Sequence, residues 1–137
     1  MQNLPILPAL LQTCVLALLS AAIPLATTIT STLLVTSSAT QSIQRDPTLA
    51  EIREADSVHV LAFSAHKKLL LAESEGSFSM EQWEAVCDKA EEICCGSGNG
   101  ESDEMQDIVD SGAGPSMHEF VTATMQEKVA LDLHWKE

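Results

Sequence analysis

Four carboxylates that could transfer protons or bind a metal lie close together in the sequence: Asp46, Glu51, Glu54 and Asp56. Paired carboxylates carry out general acid and base catalysis and hold divalent cations. The tripeptide that begins at Asp46, Asp-Pro-Thr, is typical of a turn, and the remaining acids lead into an apolar run. An exposed loop is therefore the simplest interpretation of the cluster, with a catalytic or metal-binding role as the alternative.

The four cysteines, Cys14, Cys87, Cys94 and Cys95, could form disulfides or bind zinc. Cys87 and Cys94 fall on the apolar side of one predicted helix, where a thiol packs as a small hydrophobe. Cys95 is adjacent to Cys94 and points to a different side, with no histidine close in sequence. We predict free thiols, buried or half-buried, and no metal site, which is typical of a reducing compartment.

The stretch from Ser57 to Gly96 carries three local signals that agree. Ser57 to Ser64 predicts a strand that is apolar on both faces and hence central in a sheet. A short polar turn and a second apolar run follow, which is the pattern of a hairpin. A helix then begins after Ser79, with Gln82 completing a capping box, and Gly96 ends it.

Trp83 opens the apolar stripe of this helix, and Phe78, just before the cap, is placed to pack on it as a hydrophobic staple. The stripe comprises Trp83, Val86, Cys87, Ala90, Ile93 and Cys94. Charged residues cover the other side, so the helix is expected to lie on a sheet.

The segment from Leu4 to Val35 is uncharged and rich in leucine, which raises the alternatives of a membrane helix or a signal peptide. No Lys or Arg precedes the apolar run, and Pro8 and Pro24 limit an unbroken helix to less than a bilayer span. The β-branched residues after Pro24 predict a strand. A core helix followed by a core strand explains the segment equally well, and the residues alone leave the alternatives open.

The net charge of −13, with only seven Lys and Arg residues, argues against a nucleic-acid-binding surface formed by this chain alone. Ser37 to Gln44 has no regular pattern and is predicted to be a connector. Residues 97–116 are rich in Gly, Ser and acids and are predicted to be a disordered linker. Residues 117–137 recover a helical pattern whose apolar side comprises Phe120, Val121, Met125, Val129 and Leu133.

Several motifs follow one another in an order that resembles a known family. After the Leu-rich helix of residues 7–24 come Asp-Pro-Thr at Asp46, Glu-Ala-Asp ending at Asp56, and Glu-Ser-Glu-Gly ending at Gly76. A helix then opens with Met-Glu-Gln-Trp-Glu-Ala-Val-Cys and ends with Cys-Cys-Gly at Gly96. Together they resemble the C-terminal half of a ribonuclease-PH-like ring subunit of the fungal RNA exosome. The resemblance implies an α+β fold, the second half of a ribosomal-protein-like βαβα domain with a mixed sheet. Residues 1–96 would form this half-domain, followed by the linker and the tail helix.

The resemblance also bears on chemistry, because phosphorolytic members of the family carry an acidic pair in this half and basic RNA-binding residues in the other. Asp46 falls at the first acidic position, but Ile52 stands where the second acid is expected. An aliphatic side chain can neither bind a metal nor transfer a proton. The implied protein has a vestigial site at Asp46, no catalytic residue, no cofactor and no metal.

The implied role is that of a non-catalytic subunit, whole or truncated, of the exosome core ring, acting in 3′-to-5′ processing and degradation of RNA, including rRNA. Its partners would be other ring and cap subunits, with RNA contacted through the assembled complex and with no membrane or DNA. The implied location is the nucleus, the nucleolus and the cytoplasm. A phosphorolytic 3′-to-5′ exoribonuclease, a small membrane-anchored or secreted protein with an acidic tail, and a free-standing acidic interaction module are the alternatives.

Overall fold

The computed structural model describes residues 3–37, 42–96 and 115–134. A short 3-10 helix, Leu4–Ile6, precedes the first α-helix. In chain order the elements are α1 (Leu7–Ser20), β1 (Ile29–Ser37), β2 (Ser42–Arg45), α2 (Leu49–Glu54), β3 (Ser57–Ser64), β4 (Leu69–Gly76), α3 (Met80–Cys95) and α4 (Met117–Leu133).

The described strands form one four-stranded sheet in the order β2-β1-β3-β4. β1 pairs with β2 and β3 pairs with β4, each with its neighbour in sequence, and β1 lies beside β3 in the middle. The predicted α+β class is confirmed. All three described strand pairs are antiparallel, so the sheet is not mixed in strand direction as the resemblance implied. Short connections favour antiparallel pairing within β1–β2 and within β3–β4, and these two hairpins join along β1 and β3 in a third antiparallel pair.

β3 is the central strand that its sequence predicted, and all eight of its residues are buried. One face of the sheet packs on α3 through a cluster that contains Leu34, Leu61 and Phe63. The other face packs on the N-terminal helices and α2 through a cluster of Leu33, Val35, Val58 and Val60. Alternate residues of the same strands thus supply two separate cores.

α3 begins and packs as predicted. Ser79 accepts a hydrogen bond from the Gln82 backbone, and the Gln82 side chain accepts one from the Ser79 backbone, which completes the capping box. The rings of Phe78 and Trp83 lie 5.9 Å apart, in agreement with the staple. Along the stripe, Val86, Ala90, Ile93 and Cys94 are buried, while Trp83 and Cys87 are only half-buried.

α1 confirms the core-helix interpretation of the N-terminal segment in part. It lies against β1, where the Ser31 hydroxyl donates to the Pro8 carbonyl at 3.2 Å, and it buries Val15. Its outer face, which includes Leu10 and Leu18, is exposed. Among the helices of the described ranges, none has both the length and the apolarity needed to cross a bilayer.

Two elements escaped the sequence analysis. The predicted connector contains β2, whose four residues pair with the end of β1. The predicted loop after Asp46 contains α2, which begins at a capping box formed by Thr48 and Glu51. Four residues give too little alternation to reveal a strand, whereas the Thr-x-x-Glu pattern was a readable helix signal.

The tail helix α4 also begins at a capping box, formed by Ser116 and Glu119. It docks back on its own domain: Met117 packs on the core beneath α3, and the Arg45 guanidinium donates to the Met117 sulfur at 3.5 Å. Val121 is buried, but Phe120 and Val129 of the predicted apolar side are about half exposed. Residues 97–114 of the predicted linker lie outside the described residues.

Candidate functional site

Asp46, the predicted vestigial acid, sits at the bend between β2 and α2. Its backbone has a φ of 50°, a left-handed conformation that aspartate adopts more readily than most residues. Its carboxylate is exposed and forms an ion pair with the Arg45 Nε at 3.0 Å. The left-handed backbone therefore accounts for an aspartate at this position without a catalytic role.

Ile52 lies one turn into α2 with its side chain packed on the apolar cluster of the outer sheet face. Ala55 packs on the same cluster, so the two residues fix α2 against Val35 and Val58. The side chain is half-buried and faces this apolar cluster. A carboxylate there would lie against apolar side chains and lose part of its hydration, which is unfavourable.

Two of the remaining acids of the predicted cluster, Glu51 and Glu54, line one small cleft of about 160 Å³. Glu51 accepts hydrogen bonds from the Thr48 backbone and hydroxyl and from the Gln44 amide, all at 2.6–2.7 Å. The Thr48 backbone bond, and then the Gln44 and Thr48 side chains, lower the pKa of Glu51. Within the described parts of the chain, no group of three His, Cys, Asp or Glu side chains is arranged to hold a metal ion.

The cysteines are free, as predicted, but they differ in environment. Cys14 is exposed, contrary to the prediction, because it lies on the outer face of α1. Cys94 is fully buried, and desolvation raises its pKa to about 12. A thiol in that state is protonated at neutral pH and is a poor nucleophile.

A polar cluster that the sequence analysis missed lies on the α3 face of the sheet. His59 is fully buried, its Nε2 shares a hydrogen bond of 2.8 Å with the Ser57 hydroxyl, and its Nδ1 shares one of 2.8 Å with the Ser74 hydroxyl. The Ser57 hydroxyl in turn is hydrogen-bonded to that of Thr36. The four side chains form one continuous chain across three strands, which we call the histidine chain: Thr36, Ser57, His59 and Ser74.

Strand register assembles the histidine chain. Ser57 and His59 are two residues apart on β3 and so share a face, while Thr36 lies opposite Ser57 and Ser74 lies opposite His59. Gly76 lies opposite Ser57 with a φ of 111°, and a Cβ there would lie 2.2 Å from the Asp56 carbonyl oxygen. Glycine at that position is thus required for β4 to run close to the start of β3.

Aromatic side chains cover the imidazole. The ring of Phe78 meets it edge-on at 4.9 Å, and that of Trp83 lies 5.7 Å away. Burial lowers the pKa of His59, because the charged form loses its hydration. The imidazole is consequently neutral at pH 7, with one nitrogen able to donate and the other able to accept.

A small cleft opens beside the histidine chain, with a volume of about 310 Å³. Its lining is formed by Ser74, Phe78, Ser79, Met80 and Trp83. Within the histidine chain, Ser74 lines this cleft, whereas His59 and Ser57 are fully buried beneath the surface. The sequence held one usable signal, since the predicted hairpin places a serine of β4 near His59. The partner Thr36 could not be found without the register of β1.

No protein-family model matches the chain, and no curated protein matches it. Among solved structures, the crystal structure of rice (Oryza sativa) Rrp46 matches with a TM-score of 0.55 and a sequence identity of 24%. The match covers 61% of this chain and 39% of the rice chain, so the chain spans well under half the length of that protein. The chain has an α+β fold like that of Rrp46, a ribonuclease-PH-like fold.

Proposed function

We propose that the chain forms the C-terminal half of a ribonuclease-PH-like ring subunit of an RNA exosome, of the kind present in fungi, and that its role is structural. The observation that carries the proposal is the agreement of a likeness in sequence with a likeness in fold. The ordered sequence motifs resemble this family, and the fold matches that of rice Rrp46. A likeness in fold alone is compatible with many functions, and the ordered motifs favour this family among them.

The geometry around Asp46 supports a non-catalytic role. Asp46 is paired with Arg45 at an exposed bend, and the half-buried Ile52 packs against an apolar cluster. Phosphorolysis needs positive charge to hold RNA and phosphate, and the chain has a net charge of −13. RNA contacts in 3′-to-5′ processing and decay would therefore come from the assembled complex. We place this complex in the nucleus, the nucleolus and the cytoplasm, as part of the same proposal.

The outer face of α1, extended at its two ends, supports assembly with other chains. Leu10 and Leu18 of α1, together with Ile6 just before it and Ile23 just after it, are each 40% or more exposed, which leaves large apolar side chains in contact with water. Clustered exposed apolar residues are typical of surfaces that another protein covers. We assign this face, formed by the four residues just named, to contacts within the ring.

Reconstitution tests the proposal. The purified chain is mixed with the other purified ring subunits of an exosome, and assembly is followed by size-exclusion chromatography and native mass spectrometry. We expect one copy to enter the ring, and we expect Leu10→Glu to prevent entry. Leu131→Glu is the matched control, because Leu131 is an exposed leucine of α4 that is not one of the four residues of this face.

Circular dichroism of each variant separates failure to assemble from failure to fold. A folded chain that never enters the ring would refute the proposed role. Phosphate-dependent shortening of single-stranded RNA by the purified chain would instead favour the phosphorolytic alternative.

A further inference from the structure

We propose that Ser74 is a nucleophile activated by His59, and that the cleft beside it is a serine-hydrolase-type site for small esters with an apolar acyl group. The proposal does not depend on the exosome role. It rests on the histidine chain and on the cleft that Ser74 lines.

The histidine chain has the three parts that an activated serine needs. Ser74 Oγ lies 2.8 Å from His59 Nδ1, within reach for direct proton transfer. The opposite nitrogen, Nε2, lies 2.8 Å from the Ser57 hydroxyl, which is itself bonded to Thr36. A nucleophile hydrogen-bonded to a base, with the base oriented by a third group, is the arrangement that marks covalent catalysis.

The hydrogen bonds of the histidine chain are compatible with the direction of proton donation that an activated serine needs. If Nε2 carries the proton, it donates to Ser57, and Ser57 donates to Thr36, which leaves the Nδ1 lone pair to accept from Ser74. The buried imidazole is neutral, so this lone pair is available at pH 7. Phe78 and Trp83 pack on the ring and hold its orientation.

The cleft sets the class of substrate. Phe78, Met80 and Trp83 give it apolar walls, and its volume of about 310 Å³ is at the small end of ligand sites. The net charge of −13 disfavours anionic substrates such as phosphodiesters. An uncharged ester of a short acyl chain fits both the walls and the charge.

The cleft also borders the first turn of α3, where Ser79 and Met80 contribute to the lining. The capping box uses the N–H groups of Ser79 and Gln82. The N–H groups between them, of Met80 and Glu81, lie at the positive end of the helix dipole without an intrahelical acceptor. Developing negative charge on a carbonyl oxygen would be stabilised at such a position.

The reaction proceeds in two balanced steps. Ser74 Oγ bonds to the ester carbonyl carbon while its proton moves to His59 Nδ1, and the C–O bond to the alcohol breaks as that proton passes to the leaving oxygen. Water then attacks the acyl-serine and gives a proton to Nδ1, which returns it to Ser74 Oγ as the acid departs. The sum is an ester and water converted to an acid and an alcohol.

Labelling with a fluorophosphonate tests the nucleophile in the whole chain. The probe forms a P–O bond with an activated serine and releases fluoride, and peptide mass spectrometry locates the adduct. We expect modification of Ser74 in the native protein, its loss in Ser74→Ala, and no change in Ser77→Ala, since Ser77 is an exposed serine nearby. The hydrolysis of p-nitrophenyl butyrate is measured in parallel.

His59→Gln tests the base. We expect labelling of Ser74 to slow roughly 100-fold, the low end for loss of a general base. An unmodified Ser74 in the folded native protein, or an equal rate in His59→Gln, would refute the proposal and leave the histidine chain as a satisfied polar core.

Ser74→Cys gives a second measurement that does not require removal of the buried histidine. A thiol paired with the imidazole forms thiolate more readily than a free one, so iodoacetamide should modify it roughly tenfold faster than the exposed Cys14 at pH 7. A rate at or below that of Cys14 would equally refute activation by His59.

Discussion

The two faces of the sheet are built from the same strands but are covered by helices of different character. On the α3 face, an amphipathic helix with exposed charges covers an apolar cluster and the histidine chain. On the α1 face, a purely apolar cluster is covered by a helix that is apolar on its outer side as well. The α3 face is thus covered by the chain's own helix except at the cleft beside Ser74, whereas the α1 face presents a second apolar surface to its surroundings. The comparison shows that two helices can bury one side on the same sheet and still differ on the outer side, which is charged in α3 and apolar in α1.

The largest expected effect tests whether the α3 face is the more tightly packed. Leu61 is completely buried there, and Leu61→Ala should lower the free energy of unfolding by about 4 kcal/mol, from lost burial plus the cavity left behind. Leu10→Ala, the same change on the outer face of α1, should alter stability by less than about 0.5 kcal/mol. Urea denaturation of both variants measures the difference, and similar losses would mean that the outer face of α1 is covered in solution.

Gly76 tests how strictly the backbone next to the histidine chain is constrained. Gly76→Ala forces a Cβ to 2.2 Å from the Asp56 carbonyl at a φ of 111°, and we expect a loss of about 3 kcal/mol. Gly96→Ala is the matched control, because φ is also positive there but the nearest side-chain atom is 3.5 Å away. Its loss should be closer to about 1 kcal/mol. Thermal unfolding that ranks the two variants in the reverse order would contradict the close approach of β3 and β4.

The pH dependence of stability should come from the α3 face. Burial lowers the folded-state pKa of His59, so between that pKa and about 6.5 the unfolded chain binds more protons than the folded chain. Stability is complete above about pH 6.5 and falls as the pH drops below it. Urea midpoints at pH 8 and pH 5.5 measure the fall, and His59→Gln should reduce it. A midpoint that does not change with pH in the native protein would argue against a buried neutral imidazole.

The smallest effect is expected at Asp46. Asp46→Gly keeps the left-handed backbone accessible and removes only an exposed ion pair, so stability should change by less than about 1 kcal/mol. We also expect no phosphate-dependent release of nucleoside diphosphates from single-stranded RNA, with or without the change. Phosphorolysis by the native chain that is lost in Asp46→Gly would show that this acid retains a catalytic role.

Sequence reasoning succeeded where structure is set by neighbouring residues. Ser79, Gln82, Phe78 and Trp83 lie within six positions of one another, and the start of α3 followed from them. The helix α2 has the same kind of signal, a capping box of Thr48 and Glu51. The acidic composition of the segment favoured a loop instead. β2 has too few residues to show a sequence pattern, and it forms a strand by pairing with the edge of β1.

The histidine chain could not be predicted as a whole, because its members come from three strands. His59 and Ser74 are brought together by a hairpin, which sequence indicates, but Thr36 reaches Ser57 only through the pairing of β1 with β3. A serine two residues before a histidine is otherwise an ordinary feature of a strand. The resemblance directed attention to Asp46 and Ile52, and the polar cluster lies on the opposite face of the sheet from Ile52.

The strand order has a consequence for the route of folding. Hairpins β1–β2 and β3–β4 join neighbouring segments, so each closes a short loop, whereas β1 and β3 must meet across a longer stretch of chain. The His59–Ser74 bond can therefore form early, within one hairpin, but the Thr36–Ser57 bond must wait for the two hairpins to dock. The docking of the hairpins thus completes the hydrogen bonds, and Phe78 and Trp83 must still pack on the imidazole to cover it. Its protection from solvent should therefore rise with global folding rather than with hairpin formation.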